Sequence, residues 1–76
     1  MLKLIQDTIY EVTGKTGITY ETDFLQDLAL NSFDVINIVS AFEDHFDITI
    51  PTREIWQLRQ VKDVIDYLAR RGFTEP

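Results

Sequence analysis

Asn31-Ser32-Phe33-Asp34-Val35-Ile36-Asn37-Ile38-Val39-Ser40-Ala41-Phe42-Glu43-Asp44-His45-Phe46 reads as one amphipathic helix that opens near Ser32 and closes near Phe46. Turning each residue by about 100° places Val35, Ile38, Val39, Phe42 and Phe46 on a single stripe, the side expected to face a core. Phe33 and Ile36, with Ser40 between turns, fall on the opposite side and are bordered by Asn37, Glu43 and Asp44. Two large apolar side chains on the outer face of a small domain, ringed by acids, read as a docking patch. The alternative is a helix sandwiched on both sides, with Phe33 and Ile36 beneath a loop.

Upstream, Leu2, Ile5, Ile9 and Val12 recur at helical spacing, and Gly14-Lys15-Thr16-Gly17 ends the run, so a first helix of about three turns is predicted. Residues 18–30 mix turn-forming polar residues with apolar anchors at Ile18, Phe24, Leu25 and Leu28, which predicts a long ordered loop pinned to the core. Loops of that length without regular structure often carry function. Downstream, Asp47-Ile48-Thr49-Ile50-Pro51 alternates like a strand but has no second strand in the chain to pair with, and is read as an extended connector. Pro51 and Thr52 suit a helix start, and residues 53–58 hold only a short helix with Ile55 and Leu58 inward. Val61, Val64, Ile65 and Leu68 then follow the i, i+3, i+4, i+7 pattern, with Arg70 and Arg71 at its end and Gly72 as the stop. The expected fold is all-α, a small four-helix bundle with a short third helix, in one free-standing domain over residues 1–76.

A chain of 76 residues buries roughly 60 to 65% of its unfolded surface, enough for one core of modest stability. It has no cysteine, hence no disulfide framework and no thiol of its own. The formal charge of −6 is concentrated in the middle third: no Lys or Arg lies between Lys15 and Arg53, where Glu21, Asp23, Asp27, Asp34, Glu43, Asp44 and Asp47 all lie. Such a field repels nucleic acid and anionic membranes and steers basic partner surfaces toward itself. A charge run is ordinarily a solvated face; the apolar patch among the acids distinguishes this one. The opening Met1-Leu2-Lys3-Leu4-Ile5-Gln6-Asp7 breaks its apolar run too early for a signal peptide, and no segment approaches the ~20 apolar residues of a membrane span. A soluble, cytoplasmic monomer is expected, with no nucleic-acid partner and no membrane insertion.

Serine occurs only at positions 32 and 40. Ser40 lies in mid-helix, where its hydroxyl can bond back to a carbonyl. Ser32 falls where loop turns into helix, close to unpaired backbone N–H groups and the positive end of the helix dipole, so a phosphodiester there is stabilised. That makes it a candidate attachment point for a phosphate-linked prosthetic group, beside the commoner role of Asn-Ser as a plain helix cap. His45, the single histidine, has no second His or nucleophile near it in the sequence and reads as a solvated helix residue. Glu43, Asp44 and Asp47 do not follow a calcium-loop spacing, so no metal site is expected. With no nucleophile and base pair, no metal constellation and no phosphate-cradling glycine loop, no catalytic residue is assigned.

Phe24-Leu25-Gln26-Asp27-Leu28, Asn31-Ser32-Phe33-Asp34, the acidic helix ending Phe42-Glu43-Asp44-His45-Phe46-Asp47-Ile48, Ile50-Pro51, and Val61-Lys62-Asp63-Val64-Ile65-Asp66-Tyr67-Leu68 together resemble the acyl carrier protein family. That family's core reads Asp-Leu, two residues, Asp-Ser-Leu, then an acidic helix ending Glu-x-x-Phe-x-Ile, then Ile-Pro, and the resemblance covers nearly the whole chain. It implies that Ser32 carries 4'-phosphopantetheine, taken from CoA by a phosphopantetheinyl transferase with Mg²⁺, whose thiol supplies the missing sulfur. It further implies a non-catalytic carrier that docks on basic-surfaced acyl-transfer or synthase enzymes through Asn31, Phe33, Asp34, Ile36, Asn37, Ser40, Glu43 and Asp44. An acyl chain would shelter in a cleft between the second and third helices; Trp56 on the third helix reads first as a packing residue and, in a functional role, would line the entrance to that cleft.

The chain departs from the family pattern at several places. Asn31 stands where Asp is usual, Ala29-Leu30 replaces a Gly-containing pair, Phe33 replaces Leu, Asn37 replaces an acid, and Arg53 and Arg59 bring base to a third helix that is usually acidic. These changes point to a specialised carrier over a housekeeping fatty-acid one, and a carrier for fatty-acid or polyketide-type synthesis is the first reading. A D-alanyl or aminoacyl carrier, and a helical adaptor that never receives the arm, are the alternatives.

Overall fold

Four helices form among residues 1–73, the part of the chain that the computed structural model describes: α1 (Leu2–Thr13), α2 (Ser32–Phe46), α3 (Thr52–Ile55) and α4 (Val61–Arg70). Each ends where local chemistry stops it. Gly14 takes a left-handed φ of 74° and donates its N–H to the Tyr10 carbonyl at 2.8 Å, a C-terminal cap that lacks the clash a Cβ would bring. Asp47 ends α2 in the same left-handed region at φ 54°, which Asp tolerates better than most residues. At the start of α4 the Asp63 carboxylate accepts the N–H groups of Gln60 at 3.0 Å and Arg59 at 3.2 Å, satisfying donors that precede the first turn.

The core is drawn from every element. Ile5 and Ile9 of α1, Val35, Ile38, Val39 and Phe42 of α2, Ile55 of α3, and Val61, Val64 and Leu68 of α4 are all buried. α1 packs against α2 and α4. The residues between Asp47 and Pro51 form an extended connector, as their pattern predicts, and Ile50 points from it into the core.

The long loop before α2 is ordered by a compact turn and a strap. Asp23 is the centre of the turn: its Oδ1 accepts the N–H groups of Leu25 at 2.8 Å and Gln26 at 2.9 Å, and its own N–H is donated to the Asp27 carboxylate at 2.8 Å. Thr22, Asp23 and Phe24 lie along residues 59–61, where Phe24 N–H bonds Arg59 O at 2.9 Å and Val61 N–H bonds Thr22 O at 3.0 Å. Arg59 adds an ion pair to Asp23 at 3.6 Å. Of the expected anchors, Ile18, Phe24 and Leu28 are buried, but Leu25 is 48% exposed because it sits at the tip of the Asp23 turn. Leu30 takes its place in the core, and Thr22 and Asp23 are buried polar residues that no hydrophobic pattern marks.

The N–H of Gln26, above all, holds the Asp23 carboxyl below its ordinary value of 3.8; burial opposes this, while the Leu25 N–H and Arg59 add to it. A carboxyl lowered in the folded state stabilises fully above that ordinary value and loses its contribution as pH falls through the folded-state value. Asp23→Asn keeps an Oδ1 acceptor and removes the charge, whereas Asp23→Ala removes both. At pH 7 both variants should melt below wild type, the alanine variant lower, as followed by circular dichroism. The gap between wild type and Asp23→Asn should close in acid; a gap that persists there would assign the loss to packing instead of charge.

Candidate functional site

The first turn of α2 is organised by Asn31. Its backbone is extended, at φ −88° and ψ 175°, its Oδ1 accepts the Asp34 N–H at 2.8 Å, and its carbonyl accepts the Val35 N–H at 3.1 Å. Asn31 is therefore the cap, and Ser32 is the first helical residue. The consequence is chemical. The capping role that Asn-Ser could have given to the serine is filled by its neighbour, which leaves the exposed Ser32 hydroxyl available. The N–H groups of Ser32 and Phe33 have no intrahelical acceptor, and with the helix dipole they make this end favourable to an anion. Asp34, half-buried, draws on the same dipole from the third helical position.

Strain is stored just before this turn. Ala29 adopts φ 52°, in the left-handed region that costs a residue with a Cβ about 1–2 kcal/mol. Its neighbours Leu28 and Leu30 are both buried, and Leu30 N–H bonds the Phe24 carbonyl at 3.1 Å. Two anchored leucines leave Ala29 to absorb the bend that delivers the chain to Asn31. The Gly-containing pair of the family pattern would make the same bend without the clash.

Ser32, Phe33, Ile36, Asn37, Ser40, Glu43 and Asp44 occupy one arc of α2, opposite the buried stripe. Phe33 is 71% exposed and Ile36 38%, so among the described residues no loop covers them and the sandwiched arrangement does not occur there. Ser40 and Asp44 are exposed and Asn37 is half-buried. Glu43 differs from the other acids. It sits at the edge of the arc, half-buried, and its carboxylate accepts the Ile50 N–H at 2.8 Å, tying α2 to the extended connector. Its charge is thus held in place by an internal bond whose partner, seven residues ahead, no spacing rule reveals. His45 is exposed with its ring edge-on to Phe46. Among the described residues, no three His, Cys, Asp or Glu side chains gather in a metal-binding group.

Between α2, α3 and α4 the core leaves a small apolar cavity of about 20 Å³, room for one water-sized sphere. Val35, Val39 and Phe42 of α2 line it, together with Ile55, Leu58 and Tyr67 from the α3 and α4 side. Trp56 does not. It caps the C-terminal end of α3 and is 47% exposed, so the aromatic residue that α3 and α4 bring to the cavity is Tyr67, beside Phe24 and Phe42. Trp56 and Tyr67 both lie outside the strongest apolar pattern, and only packing separates their roles.

Comparison with known proteins gives a family to this geometry. Residues 3–68 match the family described as the phosphopantetheine attachment site. The chain belongs to the acyl carrier protein family. It is 34% identical over 70 residues to an acyl carrier protein of Bdellovibrio bacteriovorus, covering 90% of each chain. It is also 35% identical over 74 residues to one of Syntrophus aciditrophicus, covering 97% of this chain and 90% of that one. A solved structure assigned as an acyl carrier protein of Mycobacterium tuberculosis superposes with a TM-score of 0.83 at 28% identity, covering 91% of this chain and 95% of that one. The family carries phosphopantetheine and works with phosphopantetheinyl transferases and synthase enzymes. The residues here fit that group: an exposed hydroxyl, a cap supplied by another side chain, and a helix N-terminus that favours a phosphodiester.

Two stability measurements probe the approach to the site. Asn31→Ala removes the cap and should cost about 1 kcal/mol in urea unfolding. Ala29→Gly relieves the left-handed strain and should stabilise by about 1 kcal/mol, despite the added freedom of the unfolded chain. A neutral or destabilising glycine would mean that Ala29 is not strained.

Proposed function

We propose that Ser32 is the attachment residue and that the chain is a non-catalytic, monomeric carrier of acyl groups for fatty-acid or polyketide-type synthesis in the cytoplasm. The observation that carries this is Ser32 exposed at the first position of α2 while Asn31 does the capping. When attached, the arm supplies a terminal thiol that holds an acyl group as a thioester. The protein's own part is address and delivery. On the transferase Ser32 Oγ, giving up its proton, forms the new bond to phosphorus as the pyrophosphate bond of CoA breaks and adenosine 3',5'-bisphosphate leaves, and the N-terminal dipole of α2 favours the phosphodiester anion that results.

Docking falls to the arc around it. Asp34 and Asp44, with Glu43 fixed at the edge, steer toward Lys and Arg on successive enzymes, and Asn31, Asn37 and Ser40 supply polar contacts without charge. Phe33 and Ile36 supply the surface that is desolvated on contact. Asn31 does not favour the adaptor reading, since it caps through the same kind of oxygen that Asp would use and alters only the charge beside Ser32. Among the described residues no helix is long and apolar enough to cross a membrane.

Intact-protein mass spectrometry after incubation with CoA, Mg²⁺ and a broad-specificity phosphopantetheinyl transferase tests the attachment. Wild type should gain the mass of one arm, and Ser32→Ala none. No gain in wild type with several transferases leaves an adaptor; a gain in Ser32→Ala moves the site elsewhere. Phe33→Ala should keep stability within about 0.5 kcal/mol, yet lower the rate at which the transferase loads Ser32. An unchanged rate would remove Phe33 from the docking surface.

A further inference from the structure

Two hollows share one wall. The apolar cavity between α2, α3 and α4 is bounded by Leu58 and Tyr67, and the same two side chains border an open polar hollow of about 360 Å³ on the outer side of α3 and α4, beside Glu54, Arg70 and Arg71. The α2 side chains that line this small cavity extend from Val35, one turn from Ser32, to Phe42, a helical rise of about 10 Å along which an entering chain would part them. The C-terminal end of α4 lies at the opposite end of α2 from Ser32, because the Phe46 ring packs on Phe73 with centroids 4.8 Å apart. Tyr67, late in α4, therefore closes the cavity on the side away from the serine.

Tyr67 is also held. The Arg71 guanidinium lies over its ring, 4.5 Å from the centroid, and donates a hydrogen bond to its phenol oxygen. The same Arg71 nitrogen pairs with Glu54 of α3 at 3.5 Å. One guanidinium thus ties the wall residue, α3 and the end of α4 together. Burial raises the phenol pKa, with Arg71 opposing and Glu54 adding to it, so Tyr67 is a neutral ring that apolar cargo can touch.

We propose that the Glu54, Arg71 and Tyr67 clasp is the stop that sets the longest acyl chain this carrier shelters. The inference rests on the carrier reading and deepens it toward cargo. A chain entering past Val35 meets only apolar walls until Tyr67. A longer one must push that ring into the polar hollow, which breaks both the stack and the ion pair. Without the clasp, the cavity and the outer hollow join and the tail passes through.

The test loads Ser32 with octanoyl, dodecanoyl and hexadecanoyl arms from the corresponding CoA thioesters, verifies loading by intact mass, and compares each Tm with that of the unacylated carrier. Every buried methylene stabilises the fold, so Tm should climb with chain length up to the stop and then level or fall. In Arg71→Ala and in the near-isosteric Glu54→Gln the climb should continue, the hexadecanoyl gain exceeding that of wild type by about 4 °C or more. Arg53→Ala, an exposed base of α3 outside the clasp, should keep the wild-type profile. A wild-type profile that climbs to the longest chain, or clasp variants that match wild type, overturns the stop. Absence of loading in the mass spectrum overturns the carrier reading, and the stop with it.

Discussion

The position of the serine depends on the strap between the long loop and the entry to α4. Residues 14–31 must be closed into a fixed path before α2 can begin, and closing a flexible loop of that length costs on the order of 2–3 kcal/mol beyond a constant. Phe24 to Arg59, Val61 to Thr22 and Lys62 to Tyr20 give three backbone hydrogen bonds across the strap. Each contributes about 0.5–1.5 kcal/mol net. Their sum is of the same size as the closure cost, so burial of Phe24, Leu28 and Leu30 tips the balance toward order. Asp23 then fixes the turn's shape by accepting two N–H groups on one oxygen, and the chain has a single way to arrive at Ala29 and Asn31.

Energy that helps close the loop is partly stored near its end. Leu28 and Leu30 both bury their side chains, and the bend between them falls on a residue with a Cβ. Strain of this kind persists only where surrounding contacts over-determine the backbone, and here the contacts are the two leucines and the Asn31 cap. The cap matters for chemistry as well as stability. A side chain at the capping position that takes the Asp34 N–H relieves the serine of any structural duty, so Ser32 can be modified without unmaking the helix it begins.

How much of this the sequence discloses follows from the range of the interactions. α1, α2 and α4 are legible because their periodicity is written within one helix, and the two faces of α2 separate cleanly on a wheel that needs only local geometry. The extended connector and the short third helix are legible from Pro51 and from the lack of a pairing strand. Long-range contacts are what the pattern misses. Leu25 and Leu30 are equally apolar and equally placed in a loop, and only the Asp23 turn decides that the first faces water and the second the core. The same holds for Glu43, whose carboxylate bonds Ile50, and for the cavity, which Tyr67 lines and Trp56 does not. Stripe and charge mark out the face proposed for docking; they do not tell which acids on it are already engaged.

The size of that face sets the kind of encounter it supports. A stable interface buries about 800 Å² per partner around a well-packed apolar centre. The arc on α2 offers two apolar residues, Phe33 and Ile36, within a border of small polar and acidic groups. Acids in such a border raise the rate of encounter more than the lifetime of the complex, and an apolar centre this small is quickly released. Asn31 and Asn37, in place of acids, weaken the steering field without enlarging the centre. The base at Arg53 lies on the neighbouring short helix, beyond the apolar pair in sequence, and opposes a second basic contact there. If the proposed docking reading holds, a fitting partner would direct its base at Asp34 and Asp44 and take the Phe33 ring as its apolar anchor, which is a narrower requirement than acidity alone imposes.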